Sequence, residues 1–163
     1  MLRRQETPDS GAAFTTDEDS AFTTGSVLTN DSDANILDVL SVTNLDSAAT
    51  TGLVTDNGDG TFSYDPNGQF ESLASGQSAN DTFTYTATDG NASDTATVTI
   101  LITGANDAPI VAAQNVAVDE NASLNTLVAT PAATDIDAGD SVSWSIVGGN
   151  TNGTFAISSS TGE

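Results

Sequence analysis

The 163-residue chain sets 18 Asp and 5 Glu against two arginines and no lysine, a formal charge of −21. Self-repulsion of that size loosens a compact state unless cations neutralise it, and it makes nucleic acid an unsuitable partner. With no Cys and no His, the chain has no disulfide, no thiolate or imidazole nucleophile and no Cys/His zinc site, which leaves hard cations on oxygen ligands as the available staple.

The length suits one ordinary domain and part of another. Hydrophobic residues make up 37% of the chain, and Val, Ile and Phe recur with period two, the mark of a folded all-β protein with acidic rims. Residues 1–14 read as a disordered leader. Its Arg3 and Arg4 precede no apolar stretch, so no signal peptide is visible, and no later segment is apolar enough to span a bilayer. A cell-surface protein of this sequence would take its export signal from outside the chain.

Strand signals then follow one another. "ILDVLSV" (36–42) and "GLVTDNGDGTFSYDP" (52–66) give at least three short strands, the last two joined by a turn rich in Gly and Asn. "DNGDG" (56–60) puts Gly where an EF-hand needs ligands and Thr61 where it needs Gly, so it reads as a hairpin turn. In "DTFTYTATD" (81–89) Phe83, Tyr85 and Ala87 share one face; in "DTATVTILIT" (94–103) Ala96, Val98, Ile100 and Ile102 share another. Joined by "DGNAS", the two runs form an antiparallel hairpin. The intervening threonines face outward, where high β-propensity explains them.

The chain also repeats itself. "TDEDSAF" (16–22) is matched by "VDENASL" (118–124), "TNDSD" (29–33) by "ATDID" (133–137), and "GTFSYD" (60–65) by "GTFAIS" (153–158), at offsets of 102, 104 and 93. Tandem modules of roughly a hundred residues follow. The expected division is a module at 15–105, a linker at 106–109 and the N-terminal half of a second module at 110–163. No counterpart of the 81–103 hairpin is seen in module two, which is expected to be poorly ordered or completed by another chain. Trp144 alternates with Val142 and Ile146, which places it on the core face of that module.

The segment 83–109, "FTYTATDGNASDTATVTILITGANDAP", resembles the closing strands and linker of bacterial cadherin-like modules and of the related repeats of large bacterial surface adhesins. "GDGTFSYDPNG" (58–68) is equally similar to those repeats, and "DENASLNTLVATPAATDIDAGD" (119–140) resembles the opening of a cadherin module. The likeness covers nearly everything after residue 14. It implies an Ig-like, cadherin-like antiparallel β-sandwich in tandem, the second copy truncated, at the cell surface.

In that family calcium ions sit at module junctions, held by an opening Glu, the linker and an Asp-x-Asp of the following module. Carried over by motif, the resemblance implicates Glu18, Asn106, Asp107, Asp135 and Asp137, with Asp140 as an additional donor. The hairpin agrees with this grouping: Asp89 and Asp94 lie at one pole of module one, and Asn106 and Asp107 emerge at the other, roughly 30 Å away at about 3.3 Å per residue. By the same resemblance Asp31, Asp33 and Asp89 form a set facing a preceding module, for which the leader offers only Asp9 as an obvious partner; this outer site should be incomplete and the weaker. Two departures lower the expected ion count. Thr103, Ala105, Asn106 and Asp107 stand at the polar positions of the animal linker, and "LASG" (73–76) stands where Leu-Asp-Arg-Glu would.

A single Asp in a loop usually just caps a turn. Several carboxylates at one joint are different: two about 4 Å apart repel by ~1 kcal/mol in water and several-fold more in a partly dry site, and a divalent cation removes that cost. The expected function is a Ca2+-binding adhesion repeat, not an enzyme, whose partners are neighbouring repeats of this or another adhesin. The alternative is a carbohydrate-binding module, with cell-surface or matrix glycans as ligands, or a spacer of a secreted polysaccharide-active protein. One Trp and two Tyr are a thin supply of sugar-stacking rings.

Overall fold

The computed structural model describes residues 14–31, 33 and 38–163. It divides into two compact units, Met1–Asn106 and Asp107–Glu163. Among the described residues the first unit contains strands β1 (Thr15–Asp17), β2 (Phe22–Thr23), β3 (Ser41–Asp46), β4 (Leu53–Asp56), β5 (Phe62–Asp65), β6 (Ser78–Thr88) and β7 (Ser93–Thr103), and the second β8 (Ile110–Val111) and β9 (Ala133–Thr134). No helix among them is long and apolar enough to cross a membrane.

The period-two runs become β6 and β7, an antiparallel hairpin in unbroken register from Ser78↔Thr103 to Thr88↔Ser93. Their inward residues Phe83, Tyr85, Ala87, Ala96, Val98, Ile100 and Ile102 are all buried. They form one face of a sheet ordered β1-β7-β6-β3, and β2-β5-β4 supplies the facing sheet. Phe62 and Tyr64 of β5 close the sandwich from that side; the Phe62 ring meets Phe83 edge-on at 4.8 Å and Tyr85 at 5.8 Å. Each such buried aromatic contributes about 1.5–3 kcal/mol over exposure. The "DNGDG" segment is a hairpin turn between β4 and β5, with Asp56 accepting the Gly58 N–H at 2.8 Å.

Three features differ from the sequence reading. The strand expected at 36–42 falls partly outside the described residues, and the observed strand is Ser41–Asp46; Val39 is exposed because the pairing with β6 starts at Ser41↔Thr88. Phe14, assigned to the leader, is a buried core residue, while the rest of the leader lies outside the described residues. The sheet is also not wholly antiparallel, because β1 joins β7 in parallel, Thr15↔Leu101 to Asp17↔Thr103. This edge placement lets Phe14, Thr16 and Glu18 alternate inward while Thr15 and Asp17 face solvent.

In the second unit β8 and β9 pair antiparallel. Val142 and Trp144 are half-buried, while Ile146 is exposed. Phe155, the repeat partner of Phe62, is 47% exposed against 0% for Phe62. Its backbone is held instead by Asn150, whose side chain donates to the Phe155 carbonyl and accepts its N–H.

Candidate metal centre

The structure sorts the carboxylates by what they do. Asp46, Asp56, Asp59 and Asp65 each accept the backbone N–H two residues on, as Asp does in ordinary Asx turns. Asp59 also accepts the Thr61 hydroxyl at 2.6 Å, and these bonds hold its pKa below the usual carboxylate value. Asp81 is buried for a structural reason: its two oxygens take the N–H groups of Thr51, Gly52 and Thr82 and the Tyr64 hydroxyl. Burial, with the hydrogen bond to Asp81 second, drives the Tyr64 pKa strongly upward.

Glu18 is of another kind. β1 carries it past Asp17, its N–H donates to the Thr103 carbonyl at 3.1 Å, and its Oε1 accepts the Ala105 N–H at 2.9 Å. The residue is only 2% exposed, and Oε2 is shielded from solvent. Burying a carboxylate is costly without an opposite charge. Residues 14–163 contain no Lys, Arg or His, so neutralising charge for these acids must come from outside that stretch.

The second unit gathers Asp107, Asp135 and Asp137. The Asp107 N–H donates to Asp137 Oδ2 at 2.8 Å, and the Asp137 N–H to Asp135 Oδ1 at 3.1 Å. Asp137 is 4% exposed, and its Oδ1 is buried and accepts no hydrogen bond. A buried, unpartnered carboxylate oxygen beside a second carboxylate is what an oxygen-liganded hard cation fits, and not what a turn cap requires. Asp140 is exposed and is tied to this turn through its N–H, which donates to the Asp137 carbonyl at 3.3 Å. Asn106, at the end of the first unit, is exposed.

Within the first unit, at the turn that joins β6 to β7, carboxylate oxygens of Asp33, Asp38 and Asp89 lie within 4.8 Å of one another. Asp89 accepts the N–H groups of Ala92 at 2.6 Å and Asn91 at 2.7 Å, which hold its pKa below the ordinary range. Of the expected outer trio, Asp33 and Asp89 are brought together. Asp31 is not in this group; it follows the 3-10 turn Val27–Asn30, where its N–H donates to the Leu28 carbonyl. Asp38 takes its place. The sequence reading missed Asp38 by assigning 36–42 to a strand, in which alternate side chains would have been spoken for. Asp9 lies outside the described residues.

A profile of the bacterial cadherin-like domain matches residues 6–104. Among solved structures the chain is similar to Drosophila N-cadherin EC1-4, with a TM-score of 0.56 and 21% identity over 91% of this chain. The chain spans 37% of the length of that protein, and at this identity the likeness concerns the fold. No curated protein sequence matches.

Proposed function

The chain belongs to the bacterial cadherin-like domain family, and from that premise we propose that it is a calcium-binding adhesion repeat whose successive modules are stiffened by Ca2+ at their junction. The observation that carries this reading is Asp137 Oδ1, buried and without a hydrogen-bond donor, in a stretch of 150 residues that holds no cationic side chain. In the first unit Glu18 is tied to the amide of Ala105, and in the second Asp137 is tied to the amide of Asp107, two residues further along the chain. An ion drawing on Glu18, Asn106, Asp107, Asp135 and Asp137 would find only carboxylate and amide oxygens, the donor set of a hard cation.

Bound calcium supplies two positive charges to a chain of net charge −21. The residues themselves set its consequences. With the ion absent, the carboxylates repel and the linker at 106–109 is free to flex; with it bound, donors from both modules are held together, and binding energy is coupled to module orientation. The affinity expected of an extracellular module is roughly 10⁻⁴ to 10⁻³ M. The outer group of Asp33, Asp38 and Asp89 would act in the same way toward a preceding module, more weakly. An extracellular or cell-surface location and neighbouring repeats as partners belong to the same proposal.

Calorimetric titration with CaCl2, followed by small-angle scattering in chelator and in millimolar calcium, tests it. Calcium should bind, raise the melting midpoint and narrow the distribution of shapes, and Asp137→Asn should weaken binding at least tenfold. Unchanged scattering and an unchanged midpoint from chelator to saturating calcium would refute the reading.

A further inference from the structure

The pairing at the edge of the first unit has a mechanical consequence. β1 and β7 are the first and last strands of that unit among the described residues, and they lie side by side in parallel. Tension reaching the unit along the chain enters at Phe14, the leading end of β1, and leaves at Gly104, the trailing end of β7. In a parallel pair these two points lie at opposite ends of the ladder, so the strands are drawn apart along their common axis. Every bond between them is then strained together. Had the terminal strands been antiparallel neighbours, entry and exit would share one end, and the bonds would open one after another.

The ladder is built to resist such sliding. The Leu101 N–H donates to the Phe14 carbonyl at 3.0 Å at one end, and the Glu18 N–H to the Thr103 carbonyl at 3.1 Å at the other. Between them the Thr103 hydroxyl donates to the Thr16 carbonyl at 3.3 Å. Phe14 anchors the pulled end of β1 in the core. On its far side β7 is paired with β6 over its whole length, so β7 stays in place while β1 is strained. At the exit the Gly104 N–H donates to the Gln77 carbonyl at 2.9 Å, which ties the departing chain to the start of β6.

We infer that the β1–β7 pair is a shear clamp that makes the first unit a force-resisting link under end-to-end tension, whether or not metal is bound. Forced unfolding is governed by the unfolding rate, which the direction of pulling changes even though stability does not. The clamp lies in the backbone pairing and does not rest on the calcium reading.

Single-molecule stretching tests it in two geometries. The chain has no cysteine, so an introduced thiol is a unique handle. Pulling between the two termini loads the pair in shear. Pulling between the N-terminus and Asn91→Cys, at the exposed tip of the β6–β7 hairpin, draws Phe14 back along β1 and peels the strand away. Both measurements are made in chelator, on protein shown to melt at the same midpoint. Rupture of the first unit is identified by the chain released between the handles: residues 15–103, roughly 300 Å of extended chain, when pulled end to end, and residues 15–90, roughly 260 Å, when pulled from position 91. The shear geometry should require a several-fold higher force at equal pulling speed. Equal forces, or a lower force end to end, would overturn the clamp. Repeating the shear measurement in calcium separates the two readings: a geometry effect in chelator with no further rise in calcium upholds the clamp and counts against the metal, whereas resistance that appears only with calcium does the reverse.

Discussion

Asp81 allows the sharpest test of what holds the sandwich together. It is 3% exposed, and its carboxylate is the acceptor on which the β3–β4 loop and both sheets converge. The Thr51 N–H lies 3.0 Å from both oxygens, the Gly52 N–H donates to Oδ2 at 2.8 Å, the Thr82 N–H to Oδ1 at 2.9 Å, and the Tyr64 hydroxyl to Oδ2 at 2.8 Å. Replacing Asp81 with Ala leaves at least the buried Gly52 N–H and Tyr64 O–H without an acceptor. At about 1–3 kcal/mol for each buried unsatisfied group, and more where a charged acceptor is lost, the cost is about 3–5 kcal/mol. For a unit of this size that is a fall in melting midpoint of roughly 15–30 °C. Asp81→Asn should cost less, because the amide oxygen still accepts while its NH2 confronts a second donor. The measurement is thermal and urea unfolding followed by circular dichroism, in excess chelator so that no metal contributes. A midpoint within a few degrees of the parent for Asp81→Ala would show that water replaces the carboxylate at little cost, and the reasoning would fail.

Three further outcomes follow from the same structure. Because burial raises the Tyr64 pKa, the native state keeps its hydroxyl proton where the unfolded chain loses it; stability is fully present below the ordinary tyrosine value of about 10, is lost as pH rises above it, and Tyr64→Phe should flatten that alkaline limb in urea melts. A Cβ on Gly104 would collide with the backbone carbonyls of Leu73 and Ala74, so Gly104→Ala should cost more than the ~1–3 kcal/mol of ordinary overpacking, read as a lowered midpoint. Carboxyl NMR should find Asp59 titrating below the ordinary value of about 3.9, and Thr61→Val should return it toward that value by removing the hydroxyl donor.

The sequence by itself determined what is local. Strict alternation in 81–89 and 94–103 gave the β6–β7 hairpin and its inward face, because a side-chain period of two is a property of the strand alone. Gly and Asn at 57–60 determined the β4–β5 turn for the same kind of reason, and the absence of Cys, His and Lys settled which chemistries were closed to the chain. Resemblance singled out Glu18 and Asp137, but their burial became visible only in the fold.

Tertiary structure decided which acids are turn caps, which are buried and which stand together. Nothing in the local pattern separates Asp65, which accepts the N–H two residues on, from Asp81, which joins residues some thirty positions away. Asp38 joined Asp33 and Asp89 for a related reason: observed pairing starts only at Ser41, leaving Asp38 outside the strand once expected there. The parallel seating of β1 on β7 was equally beyond the sequence, since it pairs residues 15–17 with 101–103 and the alternation of each strand is silent about the direction of its neighbour. Periodicity fixes which way a side chain faces; only the closing of the chain on itself fixes what it meets there.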